Sequence, residues 1–215
     1  MLRLFLITIF ISPIACSYEF SAMTLNVDNL FDTLDDKNKD DKAYLPIEAK
    51  TSKKHKKSCN NIKVKSWKNE CLFLDWDIET KNAKLKNLAS NIISYDRTGA
   101  DIIALQEVEN LNILNQLFDL LEPYGYQDVM LIEGKDYRGI DTAIISKYKI
   151  LEAKLHYITF SGKFEGKDTR PILDAIIDVN GSKVKIYNVH FPSGFHDVSM
   201  RIDSLKLLSE LLENH

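Results

Sequence analysis

Three segments of the sequence place polar side chains at the ends of apolar runs, where they could take part in chemistry. Glu107 closes the apolar run of residues 101–107, and Asn26 interrupts a strand-like run near the N-terminus. Asn188 and His190 stand two residues apart in a third run. A carboxylate is a natural ligand for a hard cation, and an amide can orient that carboxylate. Since a histidine can bind a phosphate or move a proton, the pattern favours chemistry at a metal ion or a phosphate.

Each of these residues also has a plain structural interpretation. Glu107 could be a solvated carboxylate at a strand end, and Asn26 could close a turn. His190 could be a structural histidine, although its pairing with Asn188 favours a functional role.

Two further residues stand where strands are predicted to begin. Arg170 precedes Pro171, and Asp141 opens the apolar run of residues 142–145. A planar guanidinium at a proline-fixed turn could bind a phosphate through two hydrogen bonds. An Arg–Asp ion pair across strand ends is the alternative, and the residues alone do not separate the two.

The composition is that of one globular domain with a sizeable core. The chain has 215 residues, of which 45% are hydrophobic and 27% are charged. A net charge of −3 provides no global basic field for a nucleic acid or an anionic membrane. The charge is uneven, because a lysine-rich run at residues 50–68 follows an acidic patch at residues 35–41. We interpret the lysine run as a solvated loop, with contact to phosphates as the alternative.

The N-terminus has the pattern of a signal peptide. Arg3 precedes an apolar stretch at residues 4–14 that is too short to span a bilayer, and small residues follow it. We place the signal peptide at residues 1–17, which predicts export to the periplasm or the extracellular space. A lipoprotein acylated at Cys16 and an uncleaved anchor are the alternatives. No transmembrane segment is expected in the mature chain.

Export would leave a pair of cysteines in an oxidising compartment. Cys59 and Cys71 are twelve residues apart inside the lysine-rich segment. A disulfide between them is expected, and closing so short a loop would contribute about 2–3 kcal/mol. A zinc site is disfavoured, because only His55 is nearby and no second cysteine pair exists.

Hydrophobic periodicity predicts alternating strands and helices, and hence an α/β fold. Residues 32–75 are expected to form an irregular, polar insertion that is functional or partly mobile. Asn110 and Pro123 should bound one helix. Strands are expected near residues 20–27, 101–107, 127–132, 140–146 and 150–158, with a hairpin around Asn180-Gly181. Helices are expected near residues 85–93 and 111–121, and at the C-terminus with Ile202, Leu205, Leu208 and Leu212 on one side.

Taken in order, the polar motifs resemble those of the endonuclease/exonuclease/phosphatase superfamily. The resemblance extends along essentially all of the chain after residue 17. It rests on Asn26, Leu105-Gln-Glu107, Gly139-Ile-Asp141, Arg170-Pro171 and Asn188-Val-His190. It implies a two-sheet α/β sandwich like that of deoxyribonuclease I, and hydrolysis of phosphoesters with the help of a divalent metal.

The resemblance also implies a role for each residue. Glu107 would be the main ligand of Mg²⁺, with Mn²⁺ or Ca²⁺ as alternatives, and Asn26 would support the metal site. His190, paired with Asn188, would hold the scissile phosphate or assist the leaving group. Arg170 would bind the substrate phosphate. The remaining catalytic candidate, Asp141, would organise the floor of the site.

The motifs expected from the second half of this superfamily do not occur in the 215 residues. These motifs are Gly-Asp-x-Asn, a further Asp and a terminal Asp-His pair. We therefore expect the chain to be a fragment holding the first half to two-thirds of the fold, with little or no activity alone. The favoured function is an exported phosphodiesterase that acts on nucleic acid, monomeric when full length. The alternatives are a lipid or small-molecule phosphoesterase and a non-catalytic binding module.

Overall fold

The computed structural model of the chain describes residues 19–167 and 169–213. The signal peptide predicted for residues 1–17 lies outside these ranges. The strands are Ala22–Leu30 (β1), Ile102–Val108 (β2), Asp128–Leu131 (β3), Asp141–Ser146 (β4), Lys149–His156 (β5), Ile172–Val179 (β6) and Ser182–Asn188 (β7). The α-helices are Lys53–Asn60 (α1), Lys65–Phe73 (α2), Ile78–Ser94 (α3), Leu111–Leu121 (α4) and Val198–Glu213 (α5).

The strands form two sheets. The first has the order β1-β2-β4-β3, in which β1 and β2 are parallel and the other pairs are antiparallel. The second is an antiparallel sheet in the order β5-β6-β7. Asn180 and Gly181 adopt positive φ angles of 52° and 87° at the turn between β6 and β7, as a tight hairpin requires. These features confirm the expected two-sheet α/β sandwich.

The central strand β2 is buried on both faces, which explains why its sequence is a continuous apolar run. Ile103 and Leu105 pack with α3 and α4 on the outer face of the first sheet. Ile102 faces the other way, into a core that contains Ile144 of β4 and Leu173 of β6. Successive side chains of a strand point to opposite faces, so one strand joins the helical layer to the second sheet.

Helix α5 packs through a different face from the one expected. Of the predicted row, only Leu208 packs against the core cluster of Ile158, Phe160, Ile172 and Met200, together with Leu207 and Leu211. Ile202, Leu205 and Leu212 are exposed. The inward face includes the buried Ser204, whose hydroxyl donates to the Met200 carbonyl. Because this hydrogen bond satisfies its hydroxyl, Ser204 can lie in the core. A search for apolar residues at helical spacing does not find such a position.

The expectation that residues 32–75 would be irregular was wrong for much of this segment. This segment contains α1 and α2 together with 3-10 turns at Lys42–Tyr44 and Ile47–Thr51. The expected disulfide between Cys59 and Cys71 is present and joins the two helices. The buried Lys50 ammonium donates to three backbone carbonyls of the segment, those of Ala43, Glu70 and Leu74. These covalent and polar links replace the large apolar core that its lysine-rich sequence cannot form.

No helix in the described parts of the chain is both long enough and apolar enough to cross a bilayer.

Candidate active site

Glu107 lies where β2 stops pairing regularly with its neighbours. The register of β2 with β4 shifts between Gln106 and Val108, and Glu107 has a positive φ of 69°. A non-glycine residue in this left-handed region costs on the order of 1–3 kcal/mol and is typical of functional positions. The distorted backbone places the carboxylate at the C-terminal end of β2, beside the C-terminal part of β1.

The Glu107 carboxylate is held by three partners. Its Oε1 accepts a hydrogen bond from the Asn26 amide at 3.2 Å, and its Oε2 accepts one from the Asn29 backbone N–H at 3.0 Å. The His190 Nε2 lies 3.4 Å from Oε1. The side chains of Glu107 and His190 are each 15% exposed, so solvent can still reach the group. The structure thus brings together Glu107, Asn26 and His190, as the sequence predicted.

An irregularity within β1, between Asn26 and Leu30, presents the strand's backbone to Glu107. The Asp28 N–H donates to the Asn26 side-chain oxygen at 2.8 Å, which leaves the amide nitrogen to face the carboxylate. Asp28 and Asn29 have φ angles of 54° and 62°. Lys84 of α3 donates to the carbonyls of both residues. Asn26 therefore orients the Glu107 carboxylate in this structure.

His190 is held in its neutral form. Its pKa is lowered from 6.5 to about 4, mainly by burial and then by the nearby Arg170, while Glu107 opposes both. The Nδ1 atom is buried without a hydrogen-bond partner. A neutral imidazole can donate one hydrogen bond to an incoming oxygen atom without carrying a fixed charge.

Two arginines lie around this histidine, and one of them was not predicted. Arg138 donates to the Asn29 side-chain oxygen at 2.6 Å. Arg170 pairs with Asp136 at 3.4 Å, and its Nε is buried without a partner. The alternative of an ion pair between Arg170 and Asp141 is thus wrong, because the partner is Asp136. The only sequence signal for Arg138 was its place beside Gly139 in an already noted motif, since its contact spans 109 residues.

Asn188 lies between the two sheets, and in the described residues it forms no hydrogen bond with Glu107 or His190. Its amide nitrogen donates to the carbonyls of Leu105 and Ala143, at 2.8 and 2.9 Å. Its oxygen accepts from the Gln106 amide at 2.8 Å. These three hydrogen bonds use both N–H groups of the amide and its oxygen, so Asn188 positions β2 and β7 relative to each other.

Asp141 is also buried, at the start of β4. Its Oδ1 accepts from the Gly134 N–H at 3.0 Å, and its Oδ2 has no hydrogen-bond partner. Burial raises the pKa of Asp141 to about 6. No hydrogen bond joins Asp141 to Glu107 or His190 in the described residues.

The residues at the site fit a divalent metal ion. Mg²⁺ in proteins is bound by one or two carboxylates, and the remaining positions go to water and substrate phosphates. Glu107 supplies one carboxylate that is oriented by Asn26 and Asn29 and is open to solvent on one side. A second carboxylate is not needed for that ligand set.

A groove of about 430 Å³ runs from this site along the insertion. Asn29 and Arg138 lie at its active-site end. Its other walls carry aromatic, basic and acidic side chains: Asp40, Tyr44, Lys63, Trp67, Glu70 and Tyr137. Trp67 and Tyr137 are 61% and 65% exposed, so their rings are available to a ligand.

A second group of carboxylates, here named the acidic cluster, consists of Asp32, Asp36, Asp41 and Glu109. The last three offer oxygens that lie within 4.8 Å of one another. Burial raises the pKa of Asp41 to about 6 and that of Glu109 to about 9. The sequence showed the acidic patch at residues 35–41, but it did not indicate that Glu109 would join it.

Solved structures with a similar fold span more than this chain does. The β-hairpin deletion mutant of beta toxin from Staphylococcus aureus is 14% identical, with a TM-score of 0.51 over 91% of this chain and 61% of its own. TDP2 from Caenorhabditis elegans is 19% identical, with a TM-score of 0.47 over 64% of this chain and 38% of its own. Beta toxin from S. aureus with bound magnesium ions is 20% identical, with a TM-score of 0.45 over 59% and 51% of the two chains. The chain covers 38–61% of the length of these structures.

No curated protein matches the chain significantly. The model of the endonuclease/exonuclease/phosphatase family, in contrast, matches residues 73–199, which is more than half of the chain. The matched range contains Glu107, Asp141, Arg170 and His190. With the two-sheet sandwich described above, this match confirms the resemblance seen in the sequence. The chain therefore belongs to the endonuclease/exonuclease/phosphatase family.

Proposed function

We propose that the chain carries part of the active site of an exported, divalent-metal-dependent phosphodiesterase that acts on nucleic acid. The family consists in general of metal-dependent phosphoester hydrolases. The observation that carries the proposal is the Glu107 carboxylate, which a distorted strand end holds 3.4 Å from His190. The disulfide between Cys59 and Cys71 supports export, because such bonds persist in oxidising compartments.

The side chains around Glu107 have complementary roles in this proposal. Glu107 would hold the metal ion, and Asn26 with the Asn29 N–H would keep the carboxylate in place. A bound Mg²⁺ would act as a Lewis acid on a phosphoryl oxygen. His190 and Arg170 would donate hydrogen bonds to the phosphate and stabilise its developing negative charge.

The groove beside the site supports nucleic acid as the substrate. Bases of a single strand stack on exposed aromatic rings, each stack contributing about 1–3 kcal/mol, while basic side chains attract the backbone. Trp67 and Tyr137 supply such rings, and Lys63 and Arg138 supply the positive charge. Asp40 and Glu70 balance that charge, so we expect moderate affinity.

Mn²⁺ provides a direct test of the metal site, since this paramagnetic ion broadens NMR signals of nearby protons. Titration of the purified chain should broaden the signals of the His190 imidazole. The Glu107→Gln variant, combined with Glu109→Gln so that the acidic cluster cannot hold the ion, should abolish the broadening, because it removes the charged ligand. Glu152→Gln, at an exposed position of β5, is the matched control and should keep it. Broadening that persists unchanged in this double variant would rule out Glu107 as the metal ligand.

Binding measurements separate the substrate classes. Fluorescence anisotropy with short single-stranded DNA and RNA, and flotation with sphingomyelin vesicles, should show affinity for the oligonucleotides. Trp67→Ala should weaken oligonucleotide binding by roughly 5–150-fold, the loss of one base stack. Phe73→Ala removes another exposed ring that does not line the groove, and it should change little. Binding to vesicles alone would favour a lipid phosphodiester instead.

We also propose that the 215 residues alone turn over little substrate. The Gly-Asp-x-Asn and Asp-His motifs of the family do not occur in them. Measurable Mg²⁺-dependent cleavage of DNA, RNA or sphingomyelin by the purified chain would contradict this.

A further inference from the structure

The acidic cluster joins two segments that flank the active site. Asp32, Asp36 and Asp41 belong to the loop that follows β1, and Glu109 directly follows β2. Asp41 is 1% exposed and Glu109 is 3% exposed. The Asp32 N–H donates to Glu109 Oε2 at 2.7 Å, which fixes the loop against the end of the strand.

Two buried oxygens of the cluster have no hydrogen-bond partner. Asp41 and Glu109 each use one oxygen to accept a backbone N–H, from Asp36 at 2.6 Å and from Asp32 at 2.7 Å. Their other oxygens, Asp41 Oδ1 and Glu109 Oε1, are buried and unpaired. A buried carboxyl oxygen without a donor or a cation is costly. Each of these two oxygens could therefore accept a cation.

The protein's own cations do not provide that charge. In residues 19–167 and 169–213, no lysine, arginine or histidine forms an ion pair with any of the four carboxylates. Two lysines of the same loop have other partners. Lys42 pairs with Asp40 at 3.7 Å, and Lys39 donates to the Asp136 carbonyl.

We propose that the acidic cluster is a Ca²⁺ site, separate from the Glu107 site, with Asp36, Asp41 and Glu109 as ligands. Ca²⁺ accepts six to eight oxygens in flexible geometry, including carboxylates that bind through one or both oxygens. Mg²⁺ keeps several waters, for which two fully buried ligands leave less room. Since Glu109 stands two residues after Glu107, the ion would stabilise the loops on which the active site rests.

Calorimetric titration of the purified, disulfide-intact chain with CaCl₂ tests the proposal. The titration is done in the Glu107→Gln background, so that the active-site carboxylate cannot provide the site. One Ca²⁺ should bind, and a hundredfold excess over the dissociation constant should raise the melting temperature by roughly 5–10 °C. Adding Asp41→Asn should weaken binding by at least about 100-fold, since loss of an outer-shell partner alone costs roughly 10–100-fold.

Two further variants keep the test independent of folding defects. Glu109→Gln should weaken Ca²⁺ binding as Asp41→Asn does, whereas Asp40→Asn, a neighbouring exposed carboxylate, should leave it unchanged. Without Ca²⁺, both cluster variants should melt at or above the temperature of the parent chain, because each replaces one carboxyl group of a crowded acidic cluster with a neutral amide. They should lose only the rise that Ca²⁺ causes.

Three outcomes would overturn the proposal. The first is that the chain does not bind Ca²⁺ at pH 7. In that case a proton shared between the carboxyl groups would neutralise the charge of the cluster. The second is binding that Glu107→Gln abolishes, which would assign the ion to the active site. The third is binding that survives Asp41→Asn and Glu109→Gln unchanged.

Discussion

His190 illustrates how neighbouring charges decide the chemistry of one side chain. Glu107 lies 3.4 Å from its Nε2 and favours the protonated form, yet burial and the Arg170 guanidinium outweigh that attraction. The pKa of His190 is therefore lowered to about 4. At neutral pH the imidazole is uncharged and can meet a phosphate as a hydrogen-bond donor.

NMR titration of the metal-free chain should find His190 neutral down to about pH 4. Arg170→Gln should raise the pKa of His190, because it removes a neighbouring positive charge, but burial should still hold it below 6.5. Arg97→Gln, at an exposed position after α3, is the control and should leave the titration unchanged. A pKa near 6.5 in the unmodified chain would mean that His190 is not buried as described.

The pH dependence of the unfolding free energy would not by itself report the pKa of His190. Because the pKa of His190 is depressed, its contribution to stability is present above pH 6.5 and is lost as the pH falls towards 4. The raised pKa of Asp141 acts in the opposite direction, since its contribution is present below 3.8 and is lost as the pH rises through about 6. The two windows overlap, so a site-specific measurement is required.

At the scale of elements, the insertion depends on links that do not come from an apolar core. Its contacts with the rest of the chain include an aromatic group in which Tyr44 stacks on Phe31, with Trp76 at its edge. Within the insertion, the disulfide joins α1 to α2, and Lys50 links the 3-10 turns to α2 and its end. The wall of the groove at Trp67 should therefore be sensitive to the state of this disulfide.

The double variant Cys59→Ser/Cys71→Ser should destabilise the insertion by about 2–3 kcal/mol, the value expected for a loop of this length. Hydrogen exchange should speed up in α1 and α2 and remain slow in β2. Chemically reduced wild-type chain should show the same pattern, which controls for the serine side chains. Equal loss of protection in β2 would mean that the insertion and the sandwich unfold as one unit.

The elements that the sequence predicted well are those with local signals. Helix α4 begins after Asn110, whose side chain accepts from the Ile113 N–H at 3.0 Å, and it ends before Pro123, as expected. The lysine-rich α1 has no apolar periodicity to indicate a helix. Contacts such as that of Arg138 with Asn29 join residues far apart in the chain, so no local pattern can reveal them.

At the scale of the molecule, Asn188 connects the two sheets. Leu105 and Ala143 are paired across β2 and β4, and the Asn188 amide donates to both of their carbonyls. One side chain of the second sheet thus fixes the strand that carries Glu107. The sequence predicted a catalytic role for Asn188, while its hydrogen bonds in the structure indicate that it positions β2.

Asn188→Ala should lower the free energy of unfolding by about 1–3 kcal/mol, because it leaves buried polar groups without a partner. For a chain of this size, that corresponds to a fall in melting temperature of roughly 2–4 °C per kcal/mol. Asn91→Ala, at an exposed position of α3, should change the unfolding free energy by no more than about 0.5 kcal/mol. Unchanged stability together with lost Mn²⁺ binding would instead assign Asn188 a direct role at the metal site.

The left-handed backbone at Glu107 has opposite consequences for the stability of the fold and for the proposed activity. Glycine adopts a φ of 69° without the steric cost that a side chain incurs, so the fold by itself would favour glycine at this position. Selection for thermal stability alone would then be expected to remove the carboxylate before it altered the surrounding core. The residue on which the proposed chemistry depends is therefore one whose replacement by glycine would relieve backbone strain.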